Sequence, residues 1–350
     1  IFKMKPLALI TIICFLLSSC ANIVMPTGGE KDIIPPKLLK TFPENNTINF
    51  KETSILFEFD ENIAVNKWAD HFNISPLTEK PIKYKFKNKT LKIEIENQLK
   101  ENTTYSIDLN KCIKDVNEGN VLNGLSFSFS TGGILDSLFI TGMVLDALTL
   151  KPKSNVKVFL HESNINDSLS FETKPKYVTK TNENGSFTLN NINNKNYNIY
   201  CITGLDYKYH DQDLIGFYNS EITAQDTSEC ILYLYDPLYS KDQKNDSVVT
   251  KVLKNNTKII VNCELEKSII FEIYKDKVLI KDSIFDTGPY IIENVEPAIY
   301  ELKIIVDDNK NNTWDPGNHI TKKLPEKVYI YKELINLREN WSFELDCFIN

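Results

Sequence analysis

The 350-residue sequence has no C-x-x-C pair, no H-E-x-x-H, no G-x-S-x-G, no Walker loop and no G-x-G-x-x-G. Structural zinc and thioredoxin-like chemistry therefore lack their ligand spacing. Zinc hydrolysis, serine hydrolysis and nucleotide cradling lack their carrying motifs. The four histidines (His71, His161, His210 and His319) stand far apart and share no motif. Carboxylates are plentiful, yet no pair stands out as an acid and base. Beyond residue 17 no apolar run reaches the roughly 20 residues a membrane-spanning helix takes. Positive charge is not in excess either. The formal charge is −7, and removing the two lysines of the N-terminal segment takes the remainder to −9. An acidic body is a poor match for nucleic-acid phosphates or for anionic lipid headgroups. These absences point to a non-enzyme that does not bind nucleic acid.

What is present begins at the N-terminus. Lys3 and Lys5 form a short basic region, Met4 is the expected start, and Leu7 to Leu17 is almost wholly apolar. That length suits a signal-peptide core and is too short to cross a bilayer. The following Leu17-Ser18-Ser19-Cys20 resembles the bacterial lipobox. The resemblance implies cleavage before Cys20, a diacylglycerol on its thiol and a further acyl chain on its freed amine. One chain binds membrane marginally, whereas two or three anchor stably. Residues 1–19 are thus the expected signal peptide, and 20–35 a lipidated cysteine with a tether. Pro26-Thr27-Gly28-Gly29 and Pro35-Pro36 keep the tether irregular. The expected location is the outer membrane, with the leaflet left open. No acid follows Cys20 directly, and Ala21 is not the aspartate associated with inner-membrane retention.

The body reads as strands. Hydrophobic residues make up 42% of the chain, enough to bury real cores. Ile55, Phe57 and Phe59 alternate with polar neighbours, as do Leu91, Ile93 and Ile95, then Tyr105, Ile107 and Leu109, then Leu125, Phe127 and Phe129. Short alternating runs at this spacing predict a β-sandwich over 36–133. Cys20-Ala21-Asn22, Pro26-Thr27-Gly28-Gly29-Glu30-Lys31-Asp32, Phe42-Pro43-Glu44-Asn45, Phe57-Glu58-Phe59-Asp60-Glu61 and Phe127-Ser128-Phe129-Ser130-Thr131-Gly132 follow in order. That string resembles the bacterial Ig-like domain of Bacteroidota outer-membrane lipoproteins, in which such domains are spacers and interaction modules.

Two further modules are expected at 137–236 and 255–350, joined by a polar linker over 237–254. They carry an internal repeat. Gly185, Phe187, Leu189, Asn191, Ile192, Tyr197 and Ile199 have counterparts 103 residues on, at Gly288, Tyr290, Ile292, Asn294, Val295, Tyr300 and Leu302. This is a glycine turn, an alternating strand, an asparagine turn and a second alternating strand. Gly142-Met143-Val144-Leu145-Asp146-Ala147 and Thr181-Asn182-Glu183-Asn184-Gly185-Ser186-Phe187 resemble carboxypeptidase-regulatory-like or Cna-B-like domains, which are not catalytic despite the name. The expected fold class is all-β, with tandem immunoglobulin-like β-sandwich domains behind a lipoprotein signal peptide.

Of seven cysteines, Cys14 leaves with the leader and Cys20 takes lipid. Cys112, Cys201, Cys230, Cys263 and Cys347 remain, an odd and scattered set that reads as buried thiols or at most a disulfide or two. Spacing does not pair them.

One constellation suggests a ligand. Asp307, Asn309, Asn311 and Asp315 lie in Asp-Asp-Asn-Lys-Asn-Asn-Thr-Trp-Asp-Pro-Gly. Alternating oxygen-bearing side chains suit a hard cation such as Ca²⁺, and the segment resembles calcium loops of Cna-B-like repeats. It lacks the glycine and closing glutamate of an EF-hand. The alternative is a turn built from residues that tolerate left-handed backbone. The matching place in the second module, Asp206 to Asp211, lacks the alternation. Trp314 and Trp341, with Tyr329 and Tyr331, are either core or a sugar-stacking face. The expected function is a lipid-anchored outer-membrane scaffold or interaction protein. Its expected partners are the membrane, through the acyl chains on Cys20, and other envelope proteins. The alternatives are an accessory subunit of an export or barrel-assembly machine and a carbohydrate-binding surface protein.

Overall fold

Apolar alternation organises the first module. The computed structural model describes residues 30–95, 99–163, 170–204, 206–225, 230–239, 257–263, 267–286 and 288–347. Cys20, the signal segment and most of the expected linker lie outside these residues. The first group of strands is β1 (Leu38–Phe42), β2 (Ser54–Phe59), β3 (Ile63–Val65), β4 (Asn73–Ser75), β5 (Lys83–Lys87), β6 (Thr90–Glu94), β7 (Thr104–Asp108), β8 (Ile113–Asp115) and β9 (Ser126–Ser130). They pair as β1-β2-β6-β5, β4-β7-β9 and β3-β8. Successive side chains of a strand point to opposite faces. Ile55, Phe57, Phe59, Leu91, Ile93, Tyr105, Ile107, Phe127 and Phe129 therefore fall on the inner faces and form one buried core.

The second group is β10 (Leu138–Asp146), β11 (Lys157–Glu162), β12 (Tyr177–Lys180), β13 (Ser186–Ile192), β14 (Asn196–Ile202), β15 (Ile215–Phe217), β16 (Ile222–Thr223) and β17 (Cys230–Leu234). The third is β18 (Lys258–Cys263), β19 (Ser268–Lys275), β20 (Val278–Phe285), β21 (Tyr290–Glu293), β22 (Ala298–Asp307), β23 (Val328–Ile330), β24 (Ile335–Leu337) and β25 (Ser342–Cys347). Their topologies coincide. One sheet runs β13-β10-β17 and β21-β18-β25. The other runs β12-β11-β14-β15 and β20-β19-β22-β23, with β16 and β24 also on β14 and β22. In both, the first strand pairs antiparallel on one side and parallel with the last strand on the other. The fold is all-β, a tandem of immunoglobulin-like sandwiches.

The repeat residues take equivalent places. Phe187 and Tyr290 lie on β13 and β21, Ile199 and Leu302 on β14 and β22, and all four are buried in their own module's core. The asparagine turn has a backbone reason: Asn191 and Asn294 sit at φ 56° and 58°, left-handed geometry that asparagine tolerates better than most residues.

Four strands break the alternation. β11, β14, β19 and β22 carry consecutive buried residues, as in Val158-Phe159-Leu160 and Ile304-Ile305-Val306. Val158, Leu160, Ile199 and Cys201 face the second module's core, and Phe271, Leu302 and Ile304 the third's. The opposite faces form a fourth cluster that joins the two modules. Phe159, Phe171, Val178, Tyr200, Ile202, Ile215, Phe217 and Tyr235 from the second meet Ile270, Ile305, Trp314 and Val328 from the third. Phe159 touches Phe171, Tyr200 and Tyr207 at ring-centroid distances of 5.5–5.7 Å, a favourable aromatic separation.

The first module is held by polar contacts at a strand edge. The Val178 N–H donates to Ser75 Oγ at 3.0 Å, and Asn73 Nδ2 donates to the Val178 carbonyl at 3.0 Å. Side chains of β4 thus pair with the N–H and carbonyl of Val178 on the outer edge of β12. Lys180 Nζ donates to the Asp70 carbonyl at 2.7 Å, and Lys111 pairs with Glu183 at 2.6 Å. The latter ion pair is exposed and adds little.

The seam holds two histidines. His161 is buried, its Nε2 2.8 Å from the Ser170 carbonyl and its Nδ1 without a hydrogen-bond partner. His319 lies edge-on to Phe171 at 5.1 Å. Burial lowers both pKa values from 6.5, with the Ser170 carbonyl opposing it at His161. A histidine kept neutral in the fold contributes stability that is full above the unfolded pKa and is lost as pH falls below it.

Two outcomes are expected. Phe159→Ala removes a ring from the centre of the seam and should cost roughly 3–5 kcal/mol in urea unfolding. A loss below ~1 kcal/mol would show that the modules do not depend on the seam. Between pH 7.5 and 5.5, His161→Phe should lose less stability than the unmodified chain. Asp108 and Glu326, whose carboxyls burial pushes up, act in the opposite sense, so the readout is the difference between the two proteins. Equal pH slopes would exclude His161 as a contributor.

Candidate functional site: the asparagine loop at the seam

The loop after β22 is where chemistry-bearing side chains converge. Relative to the second module, the repeat offset is 103 residues at Tyr200 and Lys303, and 113 at their partners Phe217 and Ile330. The third module's loop is therefore ten residues longer, and the extra chain contains the asparagine-rich segment. Its side chains turn the chain on itself. Asp307, 1% exposed, accepts the N–H groups of Asn311 at 3.1 Å and Asn312 at 2.9 Å. Lys310 and Asn312 take left-handed φ of 61° and 65°. Asn309 Oδ1 accepts the Asn311 N–H at 3.1 Å, and Asn311 Oδ1 accepts both the N–H and the hydroxyl of Thr313 at 2.9 Å. Asn311 Nδ2 donates to Asp315 Oδ1 at 3.0 Å, and Asn309 Nδ2 donates to Asp315 Oδ2.

Asn309, Asn311 and Asp315 thus meet through their side chains. Asp307 closes the turn through backbone amides. A further carboxylate, absent from the sequence motif, completes the knot. Glu326, 3% exposed, accepts the Asp308 N–H through Oε1 and the Asp315 N–H through Oε2, each at 2.9 Å. Burial pushes its carboxyl above the usual range. The two backbone N–H groups oppose this, and the Asp315 and Asp307 charges reinforce it. Only a fold that brings residue 326 back beside residue 308 identifies Glu326. The one sequence signal was the extra length of the loop.

Trp314 pins the loop to the seam. Its Nε1 donates to the Glu326 carbonyl at 3.0 Å, and its ring meets Tyr239 edge-on at 5.0 Å. Trp314 therefore serves as inter-module core. Trp341 is 54% exposed under the Arg338 guanidinium, while Tyr329 and Tyr331 pack against the third module's core. The four aromatics do not make one stacking face. In the second module, Asp206 accepts the Lys208 N–H at 3.0 Å and lies 3.2 Å from His210 Nε2.

The other titratable groups are dispersed. Among the described residues no three His, Cys, Asp or Glu side chains are arranged to hold a metal ion, and no helix is long and apolar enough to cross a membrane. Cys112, Cys201 and Cys230 are buried free thiols. Burial pushes Cys112 and Cys230 up to about 12, with the Asp108 charge adding to it at Cys112. Thiols that resist ionisation are inert. Cys263 and Cys347 are backbone partners in the β18–β25 ladder.

Residues 32–131 match the family model of the bacterial Ig-like domain. The match covers the first module and under half of the chain. No curated protein matches the chain. Among solved structures the chain is similar to the Bacillus anthracis TIE protein, with 10% identity, 99% of this chain and 62% of that one covered, and a TM-score of 0.20. It is similar to BcpA, the major pilin subunit of Bacillus cereus, with 9% identity, 57% and 70% coverage and a TM-score of 0.19. A DUF3823 family protein from Bacteroides uniformis gives 12% identity, 58% and 98% coverage and a TM-score of 0.17. Likenesses this distant carry no functional argument.

A calcium ion in this loop would draw the carboxylate and amide oxygens inward, at ~2.4 Å each. Binding to the folded state alone would raise stability by mass action. The melting temperature of the full chain should then be higher in millimolar Ca²⁺ than in chelator, and Asp307→Ala should remove the difference. An unchanged melting temperature leaves the loop as a hydrogen-bonded turn.

Proposed function

We propose that the chain is a lipid-anchored scaffold of the outer membrane that displays β modules to other envelope proteins and performs no catalysis. The observation that carries this reading is the order of the N-terminal residues: a basic start, the apolar run Leu7 to Leu17, the small residues Ser18 and Ser19, then Cys20. The first module's match to a bacterial Ig-like domain supports the display half. The seam supports it too, because joining two modules through a common core sets their orientation. Cys20 holds the chain at the membrane, residues 21–35 set the reach, and the modules present surfaces. The loop Asp307, Asn309, Asn311 and Asp315 is proposed to take Ca²⁺ as a brace, supported by the meeting of its side chains beside Glu326 and Trp314 at the seam.

Cys20→Ser should abolish acylation and move the protein out of the carbonate-washed membrane fraction. A variant that remains lipid-bearing and membrane-bound overturns the anchor. Protease treatment of intact cells decides the leaflet, with cleavage placing the modules on the cell surface.

A further inference from the structure

The fold sorts a charge that the sequence only sums. Residues directly opposite one another on paired strands share a face of the sheet. In the first module Phe42, Leu56, Lys92 and Lys85 lie in one row across β1-β2-β6-β5, and Lys40, Glu58, Thr90 and Lys87 lie in the next. Glu94 stands opposite Lys83 in a third. These rows alternate with Phe57, Leu91 and Ile93, which are core, so they form the outer face of the sheet. Five lysines on that face stand against two glutamates. Glu94 is shared by Lys85 at 2.8 Å and Lys92 at 3.8 Å, while Lys40, Lys83 and Lys87 are exposed. Lysines discourage pairing at the edge strands β1 and β5. That role does not extend to Lys92, which is on an inner strand directly opposite Lys85, where like charges destabilise a sheet.

The second module sits on the other sheet. It reaches the first through Asn73, Ser75 and Ser128. Those residues share cross-strand rows with Asp108 and Ser106 on the outer face of β4-β7-β9. The basic face is therefore turned away from the second module. On the third module the outer rows of β21-β18-β25 carry the opposite sign, where Lys258 meets Glu293 and is followed by Glu344 and Asp346.

We propose that the basic face of the first module lies against the anionic phosphates of lipid headgroups, in the membrane that holds Cys20. Charge complementarity calls for an anionic partner. The length of chain before β1 favours a lipid surface. Leu38 stands 18 positions after Cys20, so even a fully extended chain keeps the module within about 60 Å of the bilayer. A tether this short keeps the local concentration of headgroups high. Each lysine near an anionic surface adds an attraction that salt screens. The ring of Phe42, 58% exposed on the same face, suits the headgroup boundary. The acidic remainder of the chain is repelled by the same surface, so the face orients the first module and directs the second outward. This deepens the display reading and rests on its anchor for the presence of a membrane.

The test separates the face from the anchor. It uses the mature chain, 20–350, made without its leader and carrying Cys20→Ser, so that no acyl chain contributes. Vesicles of phosphatidylcholine and phosphatidylglycerol in equal parts should sediment it at ~10 mM salt, where screening reaches about 30 Å, and release it at ~1 M, where screening falls to about 3 Å. Vesicles of phosphatidylcholine alone should not sediment it. Lys40→Gln, Lys83→Gln and Lys87→Gln together should weaken binding at least tenfold with an unchanged melting temperature. Neutralising three exposed lysines elsewhere, by Lys151→Gln, Lys275→Gln and Lys332→Gln, should leave binding within twofold. Three results would overturn the proposal. One is no sedimentation above the phosphatidylcholine level, and another is an equal loss in the two triple variants. The third is tighter binding to polyglutamate than to the vesicles at equal anionic charge, which would assign the face to an acidic protein. Anchoring is read separately by fractionation of cells. A chain that is membrane-held there but ignores anionic vesicles sinks the face and leaves the anchor standing.

Discussion

Burial of both faces of β11, β14, β19 and β22 is the constraint on which the arrangement of the second and third modules depends. An ordinary sandwich strand faces its core on one side and water on the other, and so alternates. The stretches of these four that line the seam cannot, because their second face is also core there. The consecutive apolar residues around Phe159, Tyr200, Ile270 and Ile305 are the result. Two repeats that share such a core lose the freedom of beads on a string. Their mutual orientation becomes a property of packing, which at core density tolerates little adjustment.

The long loop of the third module belongs to this seam. Its ten extra residues carry Trp314 into the cluster, with Asp307, Asp315 and Glu326 holding the turn behind it. Three carboxylates in one loop repel each other unless N–H donors or a cation face them. Backbone amides and the Asn309 and Asn311 side chains supply the donors here. With every one of these oxygens met by an N–H or O–H group, the loop is a hydrogen-bonded polar turn. The joint between the first two modules is of another kind. A few side chains cap a strand edge there, and the exposed ion pair beside them contributes little. Hydrophobic area thus ties the second module to the third, and hydrogen bonds, together with Leu77 packed against the same cluster, tie it to the first.

Much of the fold was legible in the sequence, because strand alternation is a local signal. Ile55, Phe57 and Phe59 face the first core for the reason their spacing suggests, and the 103-residue repeat matches strands that occupy equivalent places. Asn191 and Asn294 mark the same left-handed bend. The seam was written there as well, in Val158-Phe159-Leu160 and Ile304-Ile305-Val306. A short apolar run, however, reads equally as a strand buried on both sides or as part of a helix, and it names no partner.

The sequence alone therefore determined the strand-forming runs, the turn residues, the repeat and the oxygen-rich loop, all properties of neighbours along the chain. Tertiary structure decided which faces meet. It took Trp314 from a candidate ligand-stacking surface into the seam, brought Glu326 beside Asp307 and Asp315, and set β4 beside β12. Each of these depends on residues tens to a hundred positions apart being held together by packing. No periodicity in the chain encodes that.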